Sequence, residues 1–300
     1  MPTLHTSDSI MNPLTRREWL AWSMLCVGVA GTRRLVAAQA KSRWGVQLYT
    51  VRGLLAKDAA ATLERIAAIG YTELEVLQPT LGVAAPIAKK LGLSIVAAHL
   101  DGPTAAGANL PVFAAEAKAH GLRYLVMPYV PPAERPSDRA GFQKIGQRLA
   151  RMSSESRAAG LELCYHNHAF EFGKDADGTR WLDVLMQETK ASGMKLELDV
   201  FWAAIAGADP VAVIKQYSGR IALMHLKDKD PRAPNVLIES QVARESFMEV
   251  GSGALNFPSI LTAAREAGVS HYFVEQDATP GDPVASLQKS YAYLAKLSAR

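Results

Sequence analysis

Two histidines with one residue between them close the run Leu161-Glu-Leu-Cys-Tyr-His-Asn-His168, and a carboxylate follows at Glu171. Alternate side chains of a strand share a face, so His166 and His168 are expected beside Cys164 and Glu162. Imidazoles at the exit of an apolar strand point to metal binding or proton transfer. Three further strand-like runs end in ligand-type residues: Leu196-Glu-Leu-Asp199, Leu223-Met-His225 and Phe273-Val-Glu275. Beyond residue 40, His99, His166, His168 and His225 all close such runs, whereas His120 sits at a helix end and His271 near a strand start. His166, Asp199, His225 and Glu275 thus form a candidate ligand set, whose mixed nitrogen and oxygen donors suit one divalent ion: Mn²⁺, Zn²⁺ or Co²⁺. Each residue alone has a plainer reading, since a strand-end Asp can cap the next helix and a lone His can be satisfied in a core. Four decorated strand tips in succession favour the metal.

Those tips need elements to hold them. From Trp44 onward, short β-rich runs alternate with Ala-rich stretches of helical period, the pattern of successive βα units. The strand candidates are Trp44–Tyr49, Glu73–Val76, Ser94–His99, Tyr124–Met127, Leu161–His166, Lys195–Asp199, Ile221–Leu226 and Tyr272–Glu275. Helix candidates between them include Ala59–Ile69, Phe142–Ala159, Trp181–Thr189, Val211–Tyr217, Ser259–Ala267 and Val284–Leu297. Gly70, Gly92, Gly121, Gly160, Gly193, Gly219 and Gly268 each fall where a left-handed C-cap belongs. Eight units predict a (β/α)₈ TIM barrel, an α/β fold of a single domain over residues 41–300. An open doubly wound sheet fits less well, because Thr50-Val51-Arg52 follows the first strand where a Gly-rich phosphate turn would stand. The connection from Lys227 to Asn256 is long enough to be functional or mobile, and its Gly251-Ser252-Gly253 reads as a turn before it reads as a phosphate cradle. In such barrels the active site lies at the C-terminal ends of the strands.

At this point the motifs carry a resemblance over essentially the whole chain after residue 40. Trp44-Gly-Val-Gln-Leu-Tyr-Thr-Val-Arg52, Tyr165-His-Asn-His-Ala-Phe-Glu-Phe172, Leu198-Asp-Val-Phe-Trp202, His225-Leu-Lys-Asp228 and Val274-Glu-Gln-Asp277 resemble the sugar phosphate isomerase/epimerase family. That family belongs to the xylose isomerase-like barrel group, which also contains endonuclease IV. The resemblance implies a divalent metal held by a carboxylate of strand five, an Asp of strand six, a His of strand seven and a Glu of strand eight. The last three map to Asp199, His225 and Glu275; strand five here ends in His166 instead of Glu, with His168 as the alternative ligand. It further implies an ion that polarises a sugar carbonyl and stabilises an enediolate, with Glu275 and His168 or His166 as candidate bases. Gln47, His99, Glu171, Trp202 and Lys227 are expected to line the substrate, with Trp202 stacking on a sugar face.

Composition narrows the partners. Hydrophobic residues make up 49% of the 300, enough for a sizeable core. Of 33 basic and 29 acidic residues, four arginines and two acids lie in residues 1–40, leaving 29 against 27 and no footprint for nucleic acid. Residues 1–40 read as an address: Arg16-Arg17 before Glu18-Trp19-Leu20, a short apolar run from Ala21 to Gly31, then Ala38-Gln39-Ala40. This twin-arginine-like signal predicts export to the periplasm with cleavage after Ala40, and its apolar run is too short for a stable membrane anchor. Cys26 would leave with it, so Cys164 remains as an unpaired, structural thiol.

The leading expectation is a metal-dependent isomerase or epimerase of a free or keto sugar. Export and the lack of a phosphate-binding cluster speak against phosphorylated sugars. The rival is a lyase or dehydratase eliminating from a 3-keto-glycoside or keto sugar at the same site. DNA repair of the endonuclease IV kind conflicts with the near-neutral charge, and a non-catalytic sugar-binding barrel is the remaining reading. Oligomeric state is not encoded in any of these motifs.

Overall fold

A computed structural model describes residues 44–298; the expected export signal and its cleavage after Ala40 lie outside the described residues. Eight parallel strands close on themselves: β1 Trp44–Gln47, β2 Glu73–Leu77, β3 Ser94–His99, β4 Tyr124–Met127, β5 Glu162–His166, β6 Lys195–Asp199, β7 Ile221–Leu226 and β8 His271–Val274. They follow one another round the barrel, and β1 pairs with β8 to complete it. This is the expected TIM barrel.

The period of two along each strand sorts the side chains. Leu74, Val76, Leu163, Tyr165, Leu196, Leu198, Met224 and Leu226 face outward into the layer shared with the helices. Tyr124, Val126, Cys164, Leu223 and Phe273 pack inside the barrel. Gly45 belongs to the inward set, because a Cβ there would lie 2.4 Å from the Phe273 ring. His271 and Glu73, 2.8 Å apart, stand at the N-terminal end of β8 and β2. The interior is therefore packed, and polar chemistry is left to its opposite, C-terminal end.

Local signals set the boundaries. Asp58 and Asp138 accept amide hydrogens from Ala61 and Gly141, starting the helices Ala59–Ile69 and Arg139–Ala158. The second therefore begins three residues before its expected start. All seven glycines expected at helix ends adopt positive φ, between 70° and 116°. β1 stops two residues short of Tyr49, because the Gln47 side chain accepts the Tyr49 N–H and starts a 3₁₀ turn over Leu48–Val51.

The long connection after β7 is ordered. Asp228–Lys229 pairs antiparallel with Phe247–Met248. The Gly251-Ser252-Gly253 turn wraps the Asp228 carboxylate, which accepts N–H groups from Lys229, Gly251, Gly253 and Leu255 at 2.8–3.0 Å. The amides that a phosphate would use are taken, so the segment is a turn built round an aspartate. Among the described residues no helix is long and apolar enough to cross a membrane.

Candidate active site

His166, Asp199, His225 and Glu275 come together at the C-terminal mouth, each offering one ligand atom within 4.8 Å of the others. Asp199 serves two purposes. Its Oδ1 caps the helix Val200–Ile205 by accepting the Trp202 N–H at 2.9 Å, while Oδ2 turns to the cluster. That oxygen is buried without a well-formed hydrogen bond, although Lys227 Nζ lies 3.0 Å away. His225 Nδ1 is 2.9 Å from Glu275 Oε2 and 3.8 Å from Asp199 Oδ2. Lys227, fully buried, also contacts Glu275 Oε2 at 2.6 Å and Asp277 Oδ2 at 2.7 Å. Buried imidazole and carboxylate donors with an unsatisfied oxygen fit a divalent cation.

One layer deeper lie two carboxylates that the motif reading passed over, Glu75 and Glu197. Glu197 Oε2 receives three imidazoles: His99 Nε2 at 2.9 Å, His166 Nδ1 at 3.1 Å and His225 Nε2 at 3.3 Å. Glu75 Oε2 lies 2.5 Å from His225 Nε2 and 3.4 Å from His99 Nε2. Period two carried the signal, since Glu197 shares the inward face with Asp199, and Glu75 with Glu73. Asn167 was also passed over: its Oδ1 accepts the Asp199 N–H at 3.0 Å and ties the tip of β5 to that of β6.

A cavity of about 580 Å³ opens above these layers, lined by His99, His166, His168, Trp202, Glu275 and Asp277, with Tyr49, Tyr129 and Phe247 among its walls. His168 lies just past the end of β5, its ring centroid 5.0 Å from that of His166 and 5.1 Å from that of Trp202. Of the five residues expected on the substrate, His99 and Trp202 line this cavity and Gln47, Glu171 and Lys227 do not. Glu171 is wholly buried behind the β5 tip, where it accepts the Tyr165 hydroxyl at 2.7 Å and the His168 N–H at 2.8 Å. Gln47 gives its Oε1 to the turn, leaving Nε2 buried without a partner, and Lys227 is held by its carboxylates.

A family model described as xylose isomerase-like TIM barrel matches residues 87–297. The chain belongs to the xylose isomerase-like TIM barrel family. Among curated relatives, an inosose dehydratase of Lacticaseibacillus casei is 25% identical over 162 residues, which are 51% of this chain and 53% of that protein. The chain thus spans about half the length of the curated relatives it matches. A sugar phosphate isomerase/epimerase from Parabacteroides distasonis superposes with a TM-score of 0.70 at 24% identity, covering 89% of this chain and 98% of that one. An IOLI protein whose structure holds a zinc atom gives a TM-score of 0.67 at 15% identity, covering 86% and 98%.

The mouth of this xylose isomerase-like barrel sets the charge of each group. Burial, helped by the neighbouring His225, His99 and Lys227, holds His166 well below the usual imidazole range. Burial and His166 do the same for His168. Both are therefore neutral, with a lone pair for a metal or a proton. Burial would also lower His225, but the charges of Glu197, Glu275 and Glu75 outweigh it and raise its pKa. Burial lifts Asp199 to about 6 against the pull of Lys227 and His225. Glu275 is driven the other way: burial disfavours its charge, yet Lys227 and His225 keep it well below the carboxylate range.

Proposed function

We propose that this chain is a metal-dependent isomerase or epimerase that removes the proton beside the carbonyl of a free or keto sugar. His166, Asp199, His225 and Glu275 would hold one divalent ion, the donor set they form supports the site, and a structural neighbour that holds a zinc atom supports a metal in this fold. When bound, the ion supplies Lewis acidity toward a carbonyl oxygen. The observation that carries the reading is His168: a neutral imidazole on the cavity wall, beside that donor set, with a buried Nδ1 that has no partner.

His168 is the base that takes the carbon-bound proton, and the ionised Glu275, which lines the same cavity, is the second proton-transfer group. Lys227 keeps Glu275 charged and aimed. Trp202 and Phe247 supply apolar faces on which the C–H side of a sugar ring can lie. The export grammar of residues 1–40 extends the proposal to a periplasmic site of action on unphosphorylated sugars.

A second reading, elimination, is favoured by the dehydratase names of the curated relatives. It shares the first proton removal and differs in what the enolate does next. Incubating metal-loaded protein with a panel of keto sugars and 3-keto-glycosides in D₂O separates the two. Deuterated sugar with an intact skeleton is the expected result, and loss of water or aglycone selects elimination. If no substrate exchanges hydrogen or eliminates, both readings fail.

A further inference from the structure

Three residues on the cavity wall carry a buried polar atom with no hydrogen-bond partner: His168 Nδ1, Trp202 Nε1 and Glu239 Oε1. The first belongs to the proton transfer proposed above. The last is a carboxylate oxygen, and a buried acceptor left unpaired is costly, more so when it carries charge. Glu239 comes from the long connection after β7 and stands outside the donor set at the strand tips.

Its other oxygen is fixed. Arg135, between β4 and the helix Arg139–Ala158, reaches Glu239 Oε2 with Nη1 at 2.8 Å. The same guanidinium donates Nε–H to Val130 O at 2.9 Å and lies 3.7 Å from the centroid of the Phe170 ring. It is also 5.0 Å from the centroid of Tyr129, whose ring stands 4.9 Å from that of His168. A planar guanidinium can make these contacts together, where a lysine ammonium would give up most of them. Arginine and carboxylate can share two parallel hydrogen bonds, yet this pair makes one, and Arg135 Nη2 and Glu239 Oε1 are both left over. The last torsion of a glutamate is soft, so a small rotation turns Oε1 toward the cavity while Oε2 stays within reach of Arg135.

We propose that Glu239 determines specificity by accepting a hydrogen bond from a substrate hydroxyl remote from the reacting carbon, with Arg135 as the positioning residue that holds it. The inference rests on the proposed function and narrows it to polyhydroxylated substrates. Tyr129 and Arg135 intervene between His168 and Glu239, so the hydroxyl that meets Glu239 is not on the carbon that loses its proton. A hydroxyl donating to a carboxylate makes one of the stronger hydrogen bonds. Trp202 Nε1–H, also unpaired, offers a donor to a second hydroxyl on the same wall.

The test is a cycle of protein and substrate changes on the full chain. The probes are whichever keto sugar of the D₂O panel exchanges or eliminates fastest, and its analogues that each lack one hydroxyl. Loss of one remote hydroxyl should raise the wild-type KM by about 10–100-fold, with little of the effect on kcat. Glu239→Ala should raise KM for the parent sugar by a similar factor and show no further loss with that analogue. Arg135→Ala should abolish the same coupling and Arg135→Lys should restore part of it; coupling intact in Arg135→Ala overturns the positioning role. If Glu239→Ala leaves KM unchanged, or raises it equally for the parent and every analogue, Glu239 only fastens the segment and the proposal falls while the proposed function stands. If the wild-type chain turns over no panel sugar, both fall. Glu239→Gln, which keeps an oxygen for Arg135, carries the cycle if circular dichroism shows the alanine variant unfolded.

Discussion

Glu171 Oε2 accepts the backbone N–H of His168 at 2.8 Å, so the residue proposed as the base is held through its main chain by a carboxyl that never meets the cavity. Burial, opposed by the hydrogen bonds from Tyr165 and His168, lifts the Glu171 pKa from 4.5 to about 8. The folded chain therefore keeps this proton where the unfolded chain has lost it. Its contribution to stability is fully present below about pH 4.5 and is lost as pH rises toward about 8. Glu171→Gln, which has no proton to lose, should flatten that part of the stability–pH curve in denaturant titrations. An unchanged slope would show that Glu171 is already ionised in the folded state.

His168→Ala should lower kcat by about 10²–10⁴-fold, the usual contribution of a general base. Its metal content should stay at the wild-type level, because His168 is outside the donor set of His166, Asp199, His225 and Glu275. His166→Ala, in contrast, should lower metal affinity first. Kinetics and elemental analysis on the two variants separate the roles, and equal metal loss in both would reverse the assignment.

Lys227→Met removes the ammonium from between Asp199, Glu275 and Asp277. Stripping one partner from buried charges costs about 3–5 kcal/mol. Chemical denaturation of the metal-free variant should show a loss of that order, and added divalent ion should recover part of it. A variant as stable as wild type without metal would mean that these carboxylates are protonated in its absence.

Chelation should lower the thermal midpoint of the wild-type chain, since an ion that binds only the folded state at 100 times its Kd contributes about 2.7 kcal/mol. Differential scanning calorimetry before and after metal removal is the measurement, with reloading as the control for reversibility.

N-terminal sequencing of protein recovered from a periplasmic fraction should begin at Lys41. An intact Met1 there would sink the export reading.

Much of this was legible because barrel architecture writes itself in short-range signals. The glycine between a helix and the next strand and the alternation of β-rich with Ala-rich runs are local, and they located the eight units and the tips bearing Asp199, His225 and Glu275. What escaped was decided by direction and contact. Glu171 has the residue type of a substrate ligand, but the Tyr165 hydroxyl and the His168 amide claim both its oxygens. Glu75 and Glu197 share the inward faces of Glu73 and Asp199, but only the closed barrel brings them onto three histidines from other strands. The first strand misled by two residues because a side chain, Gln47, competes with the ladder for the Tyr49 amide.

The aspartate at the root of the long connection has a practical meaning. Asp228 fastens the returning end of that segment, and Asp230 N–H meets Ser246 O at 3.0 Å just inside it, so the stretch between leaves and rejoins the barrel at one knot. Glu239, Ser240 and Phe247 reach the cavity from it or from its edge, while the donor groups below come from the strands. The segment is thus a cassette. It could be exchanged for one of another length to change which molecules enter, with the chemistry beneath left intact.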